Sequence, residues 1–257
     1  MRPTHPFFDH PTPLAMAHRG FSLDGLENSM AAFGAAVDLG YGYVETDVHT
    51  TADGVVVAFH DPTLHRVAGA PDAIERLTWT QLQQARIGGT EPVPTLEELL
   101  GAWPRLRVNI DIKADRAPAP LAEVIERTRA HDRVCIASFS DRRRREVLRR
   151  LSAPVATSTG YWRTARFRAA VATRCGPLAA AALRGVDCVQ VPPTHRRLPL
   201  LTRATVAAAH RAGTQVHAWT INDTDAMERL LDLGVDGIIT DRADLLKAVL
   251  QRRGQWA

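Results

Sequence analysis

One β-rich stretch of the chain places two carboxylates close to an imidazole. Glu45 and Asp47 are two residues apart, so in an extended strand their side chains lie on the same face. Asp53-Gly54, between two β-branched runs, is typical of a two-residue hairpin turn, and a turn there predicts that Asp47 pairs with His60. Two hard oxygen ligands beside a proton carrier favour a divalent metal site with an acid or base next to it. The alternative is a polar hairpin with a solvated face.

Two further apolar strands are interrupted by polar residues. His18-Arg19 directly follow the run 14–17, and the run 107–113 alternates so that Asn109, Asp111 and Lys113 share a face. A strand that is buried on both faces should be almost wholly apolar, and burying unpaired charges costs several kcal/mol. A structural Asp111–Lys113 pair is the simpler interpretation. The same interruption in three strands favours a functional site.

Short apolar strands alternate with helices along the whole chain. The predicted strands are 14–17, 43–51, 107–113, 134–139, 155–159, 188–191, 215–221 and 237–240. Setting aside the hairpin return at 55–60, eight strand–helix units predict an α/β protein with a (β/α)8 TIM-type barrel. The barrel would carry a β-hairpin after strand two and a short insertion before Thr95. We expect a single barrel domain over residues 1–257, with its core at about 14–250.

A doubly wound open sheet is the competing architecture. Against it, this sequence has no Gly-rich phosphate loop after strand one. In a barrel, functional residues lie at the carboxyl ends of the strands. Three carboxylates, two cations and two imidazoles would meet there, namely Glu45, Asp47, Asp111, Arg19, Lys113, His18 and His60. The oxygen-rich set suits Mg²⁺ or Ca²⁺ better than zinc. A metal and two cations would neutralise a phosphoryl group, and the imidazoles would act as base and acid.

The composition sets the broad class of the protein. The chain has 257 residues, of which 45% are hydrophobic, and a formal net charge of +4 with a pI near 9.3. This mild, arginine-rich bias does not indicate a nucleic-acid partner and fits an anionic small-molecule substrate. Three scattered cysteines predict free thiols. No apolar run has the length of a signal peptide or a membrane span, so we expect a cytoplasmic protein without a transmembrane segment.

An ordered string of motifs resembles the signature of the glycerophosphodiester phosphodiesterase family. Its first part is His18-Arg19-Gly20, Glu27-Asn28-Ser29, Glu45-x-Asp47-Val48, Thr51-x-Asp53-Gly54 and His60-Asp61 with Leu64-x-Arg66. Its second part is Pro94-Thr95-Leu96-Glu97-Glu98, Asn109-Ile110-Asp111-Ile112-Lys113, Ser138-Phe139, Trp219-Thr220-Ile221-Asn222 and the run 234–241. The resemblance covers about residues 14–250, and the ordered string is far more specific than any single motif.

The resemblance implies a barrel enzyme that uses a divalent ion to hydrolyse glycerophosphodiesters to an alcohol and glycerol phosphate. It implies that His18 and His60 are the acid/base pair and that Arg19 and Lys113 contact the phosphate. It implies that the metal ligands are Glu45, Asp47 and Asp111. One departure is that the third ligand is commonly Glu in the family and is Asp111 here. The shorter arm would shift the metal or admit a water, which bears on the choice of metal more than on activity.

Several alternatives remain open from the sequence. Trp219 either packs against a glycerol or alcohol group or belongs to the core. A lysophospholipase D would perform the same chemistry on an acylated substrate, and a non-catalytic barrel would only bind a phosphate ligand, although a binder needs no histidine pair. An aldolase or isomerase with Lys113 as Schiff base is disfavoured, because neighbouring acids raise the pKa of a lysine. The oligomeric state does not follow from the sequence.

Overall fold

The fold is a parallel barrel surrounded by helices. The computed structural model describes residues 5–256. The strands in chain order are β1 (Leu14–His18), β2 (Tyr43–Thr50), β3 (Val56–Ala58), β4 (Arg86–Ile87), β5 (Glu91–Pro92), β6 (Arg107–Ile112), β7 (Val134–Ala137), β8 (Ala156–Thr157), β9 (Cys188–Val191), β10 (Thr194–His195), β11 (Leu198–Pro199), β12 (Gln215–Ala218) and β13 (Gly237–Thr240). Eight of them pair in parallel in the order β8-β7-β6-β2-β1-β13-β12-β9. A parallel bridge between Ser158 and Cys188 joins the two ends, so the predicted TIM-type barrel is confirmed.

Helices connect successive barrel strands. They are α1 (Met30–Asp38), α2 (His65–Ala68), α3 (Trp79–Leu82), α4 (Leu96–Ala102), α5 (Pro118–Thr128), α6 (Asp141–Leu148), α7 (Tyr161–Ala172), α8 (Gly176–Leu183), α9 (Arg203–Arg211), α10 (Thr224–Leu233) and α11 (Ala243–Arg252). Thr95 and Glu98 form the capping box that the sequence predicts at the start of α4. None of the described helices is long and apolar enough to cross a membrane.

The predicted register of the hairpin between β2 and β3 is wrong by one residue. The observed partners are Val48 with Ala58, His49 with Val57 and Thr50 with Val56. The turn has three residues instead of two, because Thr51 N donates to Val55 O, and Gly54 adopts φ +90°. Asp47 therefore lies opposite Phe59, whose N–H donates to the Asp47 carbonyl at 2.9 Å. His60 does not pair with Asp47 in the sheet.

The insertion after β3 is small and has its own apolar cluster. Its buried members are Val57, Phe59, Leu64, Ile74, Leu82, Ile87 and Val93. β3 ends at Ala58, and Phe59 and Leu64, which follow it, belong to this cluster.

The interior of the barrel is layered, with apolar residues nearer the amino ends of the strands and polar residues nearer the carboxyl ends. Alternate strand residues form a buried cluster that the aromatic rings of Phe7 and Phe8 join. Above it, Gln190 Nε2 donates to Asn109 Oδ1 at 2.9 Å, a bond that crosses the interior because β9 and β6 are not neighbours in the sheet. His217 lies within 3.3 Å of Gln190 and is fully buried, and burial lowers its pKa to about 4. This polar layer forms the floor of the opening at the carboxyl ends of the barrel strands, which we call the mouth.

Candidate active site

His18 is the last residue of β1, in register with Glu45 on β2. Its Nδ1 is 2.5 Å from Asp241 Oδ1 at the end of β13, and its Nε2 is 3.7 Å from Glu45 Oε2. Burial alone would lower the pKa of His18, but the two carboxylates overcome burial and raise it. Asn222 Nδ2 in turn donates to Asp241 Oδ2 at 2.7 Å. Asp241 therefore fixes the orientation of the His18 ring.

His60 reaches the same mouth from the hairpin return. Its Nδ1 is 2.5 Å from Asp61 Oδ1, and its carbonyl accepts a hydrogen bond from His49 Nε2 at 3.0 Å. Arg66 Nε holds the other oxygen of Asp61 at 2.7 Å. His60 follows Phe59, whose N–H donates to the Asp47 carbonyl at 2.9 Å, and the charge of His60 helps to lower the pKa of Asp47. Both candidate acid/base residues thus have an aspartate at Nδ1.

Asp47 and Asp111 share one ammonium. Lys113 Nζ lies 2.9 Å from Asp47 Oδ1 and 2.7 Å from Asp111 Oδ2. Burial would lower the pKa of Lys113, but the two carboxylates raise it above its ordinary value. A Schiff-base lysine has to lose its proton. The geometry therefore supports a fixed cation at position 113.

Asp47 is the most strongly paired carboxylate of the cluster. It is 1% exposed, and Arg19 Nε approaches its second oxygen at 2.9 Å. Burial would raise the pKa of Asp47, but Lys113 and Arg19 overcome burial and lower it. Asn28 Nδ2 donates to the same oxygen at 3.3 Å. Asp47 is therefore ionised beside two cations.

Glu45 and Asp111 are less completely satisfied. Glu45 Oε2 and Asp111 Oδ1 are buried and have no hydrogen-bond partner within residues 5–256. Burial, reinforced for both by Asp47, raises the pKa of each carboxyl. Among residues 5–256, no three His, Cys, Asp or Glu side chains converge closely enough to form a ready metal site. The orphaned oxygens and the hard donor set nevertheless fit a divalent cation.

Arg19 is held by a strained loop. Arg19 and Asn28 both adopt left-handed backbone conformations, with φ values of 57° and 59°, and Asn28 N donates to Arg19 O at 2.9 Å. Arg19 Nη1 also donates to Glu27 Oε1 at 2.9 Å, and Arg66 binds both oxygens of Glu27. Side-chain contacts thereby connect His60 to Arg19 through three intermediates, Asp61, Arg66 and Glu27. Such strain is common at functional sites.

Trp219 follows β12 directly and contacts both the interior and the mouth. It packs against the cluster inside the barrel, and its ring lies edge-to-face with Phe139, with centroids 5.8 Å apart. Lys113 Nζ is 5.7 Å from the centroid of Phe139. The ring thus packs on the core and borders Phe139, and a contact of Trp219 with substrate stays a prediction.

The sequence analysis missed some of the residues that support the site. Asp241 and Glu27 were not among the candidate site residues, whereas they bind His18 and Arg19. Asp61, Arg66 and Asn28 were part of the motif string without an assigned role. Asp61 adjoins His60 in sequence, which is a usable signal. Asp241 is 223 residues from His18, and only barrel closure brings them together.

Comparison with known proteins adds independent information. Residues 18–245 match the model described as the Glycerophosphoryl diester phosphodiesterase family. A probable glycerophosphodiester phosphodiesterase 2 of Mycobacterium tuberculosis is 49% identical over 265 residues, covering 99% of this chain and 97% of that protein. A glycerophosphodiester phosphodiesterase from Parabacteroides distasonis superposes with a TM-score of 0.76 at 23% identity, covering 96% of this chain and 100% of that one. An Oleispira antarctica phosphodiesterase in complex with the product sn-glycerol-3-phosphate superposes with a TM-score of 0.75 at 22% identity, covering 93% and 97%.

The fold and the match across nearly the whole chain identify a barrel phosphodiesterase. The chain belongs to the glycerophosphoryl diester phosphodiesterase family. The family and the enzyme class predicted from the motif string are therefore confirmed.

Proposed function

We propose that this protein hydrolyses glycerophosphodiesters to glycerol phosphate and an alcohol, with a divalent ion bound at Glu45, Asp47 and Asp111. The observation that carries the proposal is the pair of histidines, each with an aspartate at Nδ1, beside a buried cluster of carboxylates and cations. The close relative with the same activity in its name and the distant structure bound to sn-glycerol-3-phosphate support the substrate class.

The reaction needs one proton acceptor and one proton donor. Water attacks phosphorus and gives its proton to the neutral histidine, while the P–O bond to the alcohol breaks. The other histidine, His18 or His60, protonates the departing alkoxide, so the products are glycerol phosphate and a neutral alcohol. Attack by the glycerol 2-hydroxyl through a cyclic phosphate would use the same two residues. In either route, the histidines exchange protons with the oxygens that attack and leave.

Charge neutralisation is the second requirement, because the phosphodiester is already anionic. Arg19 and Lys113 are cations that each pair with Asp47, and in this proposal they offset the charge of the phosphoryl oxygens. A bound Mg²⁺ or Ca²⁺ would supply additional positive charge at those oxygens. Trp219 and Phe139 provide an apolar wall beside Lys113 for the glycerol or alcohol carbons.

The broader assignments belong to the same proposal. We propose that the chain forms a single barrel domain with its core at about residues 14–250. We also propose that its partner is a small-molecule substrate, that it binds no nucleic acid and that it is located in the cytoplasm. A role in lipid and glycerol metabolism follows from the proposed products. The lysophospholipase D and binding-barrel alternatives are outcomes of the experiment below.

A head-group panel tests the proposed function. Purified enzyme is stripped with a chelator, dialysed and assayed on several glycerophosphodiesters and one lysophospholipid, each with Mg²⁺, Ca²⁺ or Mn²⁺. We expect glycerol phosphate to be released only when a divalent ion is restored. The Asp111→Glu variant, which restores the arm length common in the family, should change the order of metal preference and retain activity. Full activity of the chelated enzyme would show that the reaction needs no metal. No turnover with any metal would favour the non-catalytic binding barrel.

A further inference from the structure

Apolar side chains are exposed mainly at the mouth of the barrel. Among the described residues, six large hydrophobic side chains are exposed. Five lie on loops or helix starts that follow barrel strands, namely Leu23, Phe139, Tyr161, Trp162 and Leu198. The sixth, Leu178, lies on α8 in the outer ring. Isolated exposed apolar residues are ordinary, but a concentration at one end indicates an interaction surface.

Four of these residues, Phe139, Tyr161, Trp162 and Leu198, follow three consecutive barrel strands, β7, β8 and β9. Tyr161 N donates to Phe139 O at 2.9 Å, which joins the first two loops. The Tyr161 ring packs edge-to-face on Trp162 at 5.4 Å and on His195 at 6.4 Å. We call this surface the rim; it comprises Phe139, Tyr161, Trp162 and the hairpin 194–199. Trp162 and Leu198, at 69% and 64% exposure, are its most exposed apolar members.

The hairpin of the rim presents two arginines on a strained turn. β10 and β11 pair Thr194 with Pro199 and His195 with Leu198, which leaves Arg196-Arg197 as a two-residue turn. Both arginines have positive φ, 47° and 68°, the geometry of a type I′ turn that favours Asn-Gly. Arg168 Nε supports the hairpin by donating to Pro199 O at 3.0 Å. Arginines in this costly conformation indicate that the exposed charge is used.

The charge around the rim is strongly one-sided. Residues 156–199, from the start of β8 to the end of the rim hairpin, contain seven arginines, no lysine and a single acidic residue, Asp187, whereas the whole chain has 32 basic and 28 acidic residues. The arginine run 142–145 contributes little, because Arg142 and Arg143 share Asp115 and Arg144 is 2% exposed. The unbalanced cations therefore belong to the β8–β9 part of the barrel, the same part that carries the exposed aromatic rings.

We propose that the rim docks on the surface of a bilayer that contains anionic phospholipids. Tryptophan and tyrosine favour the boundary between hydrocarbon and water, where one part of the ring is dry and another is wet. Arginines at the same level are attracted by anionic head groups. An acidic protein or nucleic acid would use the arginines but would leave Trp162 and Leu198 without a matching environment. Docking would turn the active-site mouth towards the lipid surface.

The binding test uses the full-length enzyme and does not depend on catalysis. The protein is floated with vesicles of phosphatidylcholine alone or with added phosphatidylglycerol, at low and high salt. We expect binding that requires the anionic lipid and weakens with salt. Equal recovery with both vesicle types, or no recovery with either, would overturn the proposal.

Two variants separate the charged and apolar contributions. Arg196→Asn with Arg197→Gly removes two charges and installs the preferred turn pair, so folding is retained. We expect its partition coefficient to fall roughly 30-fold, which corresponds to about 2 kcal/mol for two arginines. Trp162→Ala with Leu198→Ala should lower the coefficient by at least about tenfold. Both variants should hydrolyse a soluble glycerophosphodiester at the native rate, since neither touches the catalytic cluster.

Matched controls lie on other parts of the surface. Leu178→Ala removes an equally exposed apolar side chain from the outer ring. Arg149→Gln with Arg211→Gln removes two exposed arginines from the ends of α6 and α9, at the opposite end of the barrel. Both controls should bind like the native enzyme. If only the charge variant loses binding, the rim serves a different anionic partner, and the bilayer proposal is wrong.

Discussion

At the scale of single residues, the site depends on how each histidine is held. Asp241 and Asp61 occupy equivalent places at Nδ1 of His18 and His60, and each aspartate has its own partner, Asn222 or Arg66. An imidazole fixed at Nδ1 presents Nε2 to the substrate. The contact at Nδ1 is thus the same for both histidines, although the proposed mechanism gives them opposite roles.

The first prediction concerns the two histidines themselves. Replacing either His18 or His60 by Ala should lower kcat by roughly 10²–10⁴, because each removes one proton transfer. Because the two residues act in one step, the double variant should lose less than the product of the single losses. The assay is steady-state hydrolysis by metal-loaded enzyme, with substrate affinity measured separately. Near-native turnover of both single variants would contradict acid/base catalysis.

The second prediction determines which role His18 has. The Asp241 carboxylate helps to raise the pKa of His18, so Asp241→Asn should lower that pKa. One limb of the pH–rate profile should then move to lower pH. Movement of the alkaline limb identifies His18 as the acid, and movement of the acidic limb identifies it as the base.

The control for this profile is Asp244→Asn. Asp244 lies near Asp241 in the sequence but pairs with Arg242 at 2.6 Å. Its profile should match that of the native enzyme. An unchanged profile for Asp241→Asn, with the protein folded, would show that the His18–Asp241 contact does not tune catalysis.

At the scale of elements, the hairpin shows where sequence patterns stop being sufficient. The Asp53-Gly54 signal predicts a turn correctly, but it does not distinguish a two-residue loop from a three-residue loop ending in a left-handed glycine. One added residue shifts every pair, so the predicted contact between Asp47 and His60 in the sheet is wrong. The charge of His60 still helps to lower the pKa of Asp47, and the sequence pattern does not determine how the insertion that follows His60 packs.

The third prediction concerns the loop that carries Arg19. Gly20 has φ +81°, and a Cβ atom there would lie 2.6 Å from the Ala32 backbone. Gly20→Ala should therefore cost about 2–4 kcal/mol of unfolding free energy, from strain and overpacking together. Gly25→Ala is the matched control, since Gly25 has φ +76° and a Cβ atom there would have no atom of the described part of the chain within 4 Å.

Because Gly25→Ala introduces only the left-handed strain, it should cost about 1 kcal/mol. Both values can be measured by urea denaturation. Equal losses for the two variants would mean that the close approach of Gly20 to α1 is not what stabilises the loop.

At the scale of the whole molecule, counting strands was sufficient to predict the barrel. Eight strand–helix units have few ways to bury their apolar faces, and polar residues at the carboxyl ends then meet at one mouth. The contacts between distant segments were not predictable. The His18–Asp241 pair and the Gln190–Asn109 bond depend on barrel closure and side-chain direction, which local periodicity does not contain. The hairpin 194–199 was missed because its turn residues are arginines.

The fourth prediction relates the proposed metal site to the stability of the entire barrel. Burial raises the pKa of Glu45 from 4.5 to about 8, so its ionised form destabilises the metal-free fold. A raised carboxyl pKa means that the folded state binds more protons, and stability falls as the pH rises from about 4.5 to 8. Because Gln is neutral without binding a proton, Glu45→Gln should stabilise the metal-free protein by about 1–3 kcal/mol at neutral pH, and we expect it to abolish catalysis.

Thermal unfolding after chelation, followed by titration with Mg²⁺ or Ca²⁺, measures both effects. The native protein should gain stability with metal according to RT ln(1 + [L]/Kd), because the ion binds the folded state. Metal-free Glu45→Gln should have a higher Tm than the metal-free native protein, and its Tm should rise less when metal is added. Below pH 5, the difference in Tm between the two metal-free proteins should become smaller. Asp115→Asn, which changes an exposed carboxylate, is the control and should respond to metal like the native protein. A metal-free Glu45→Gln protein less stable than the native one would mean that Glu45 supports the fold without an ion, and that the cluster of carboxylates is structural.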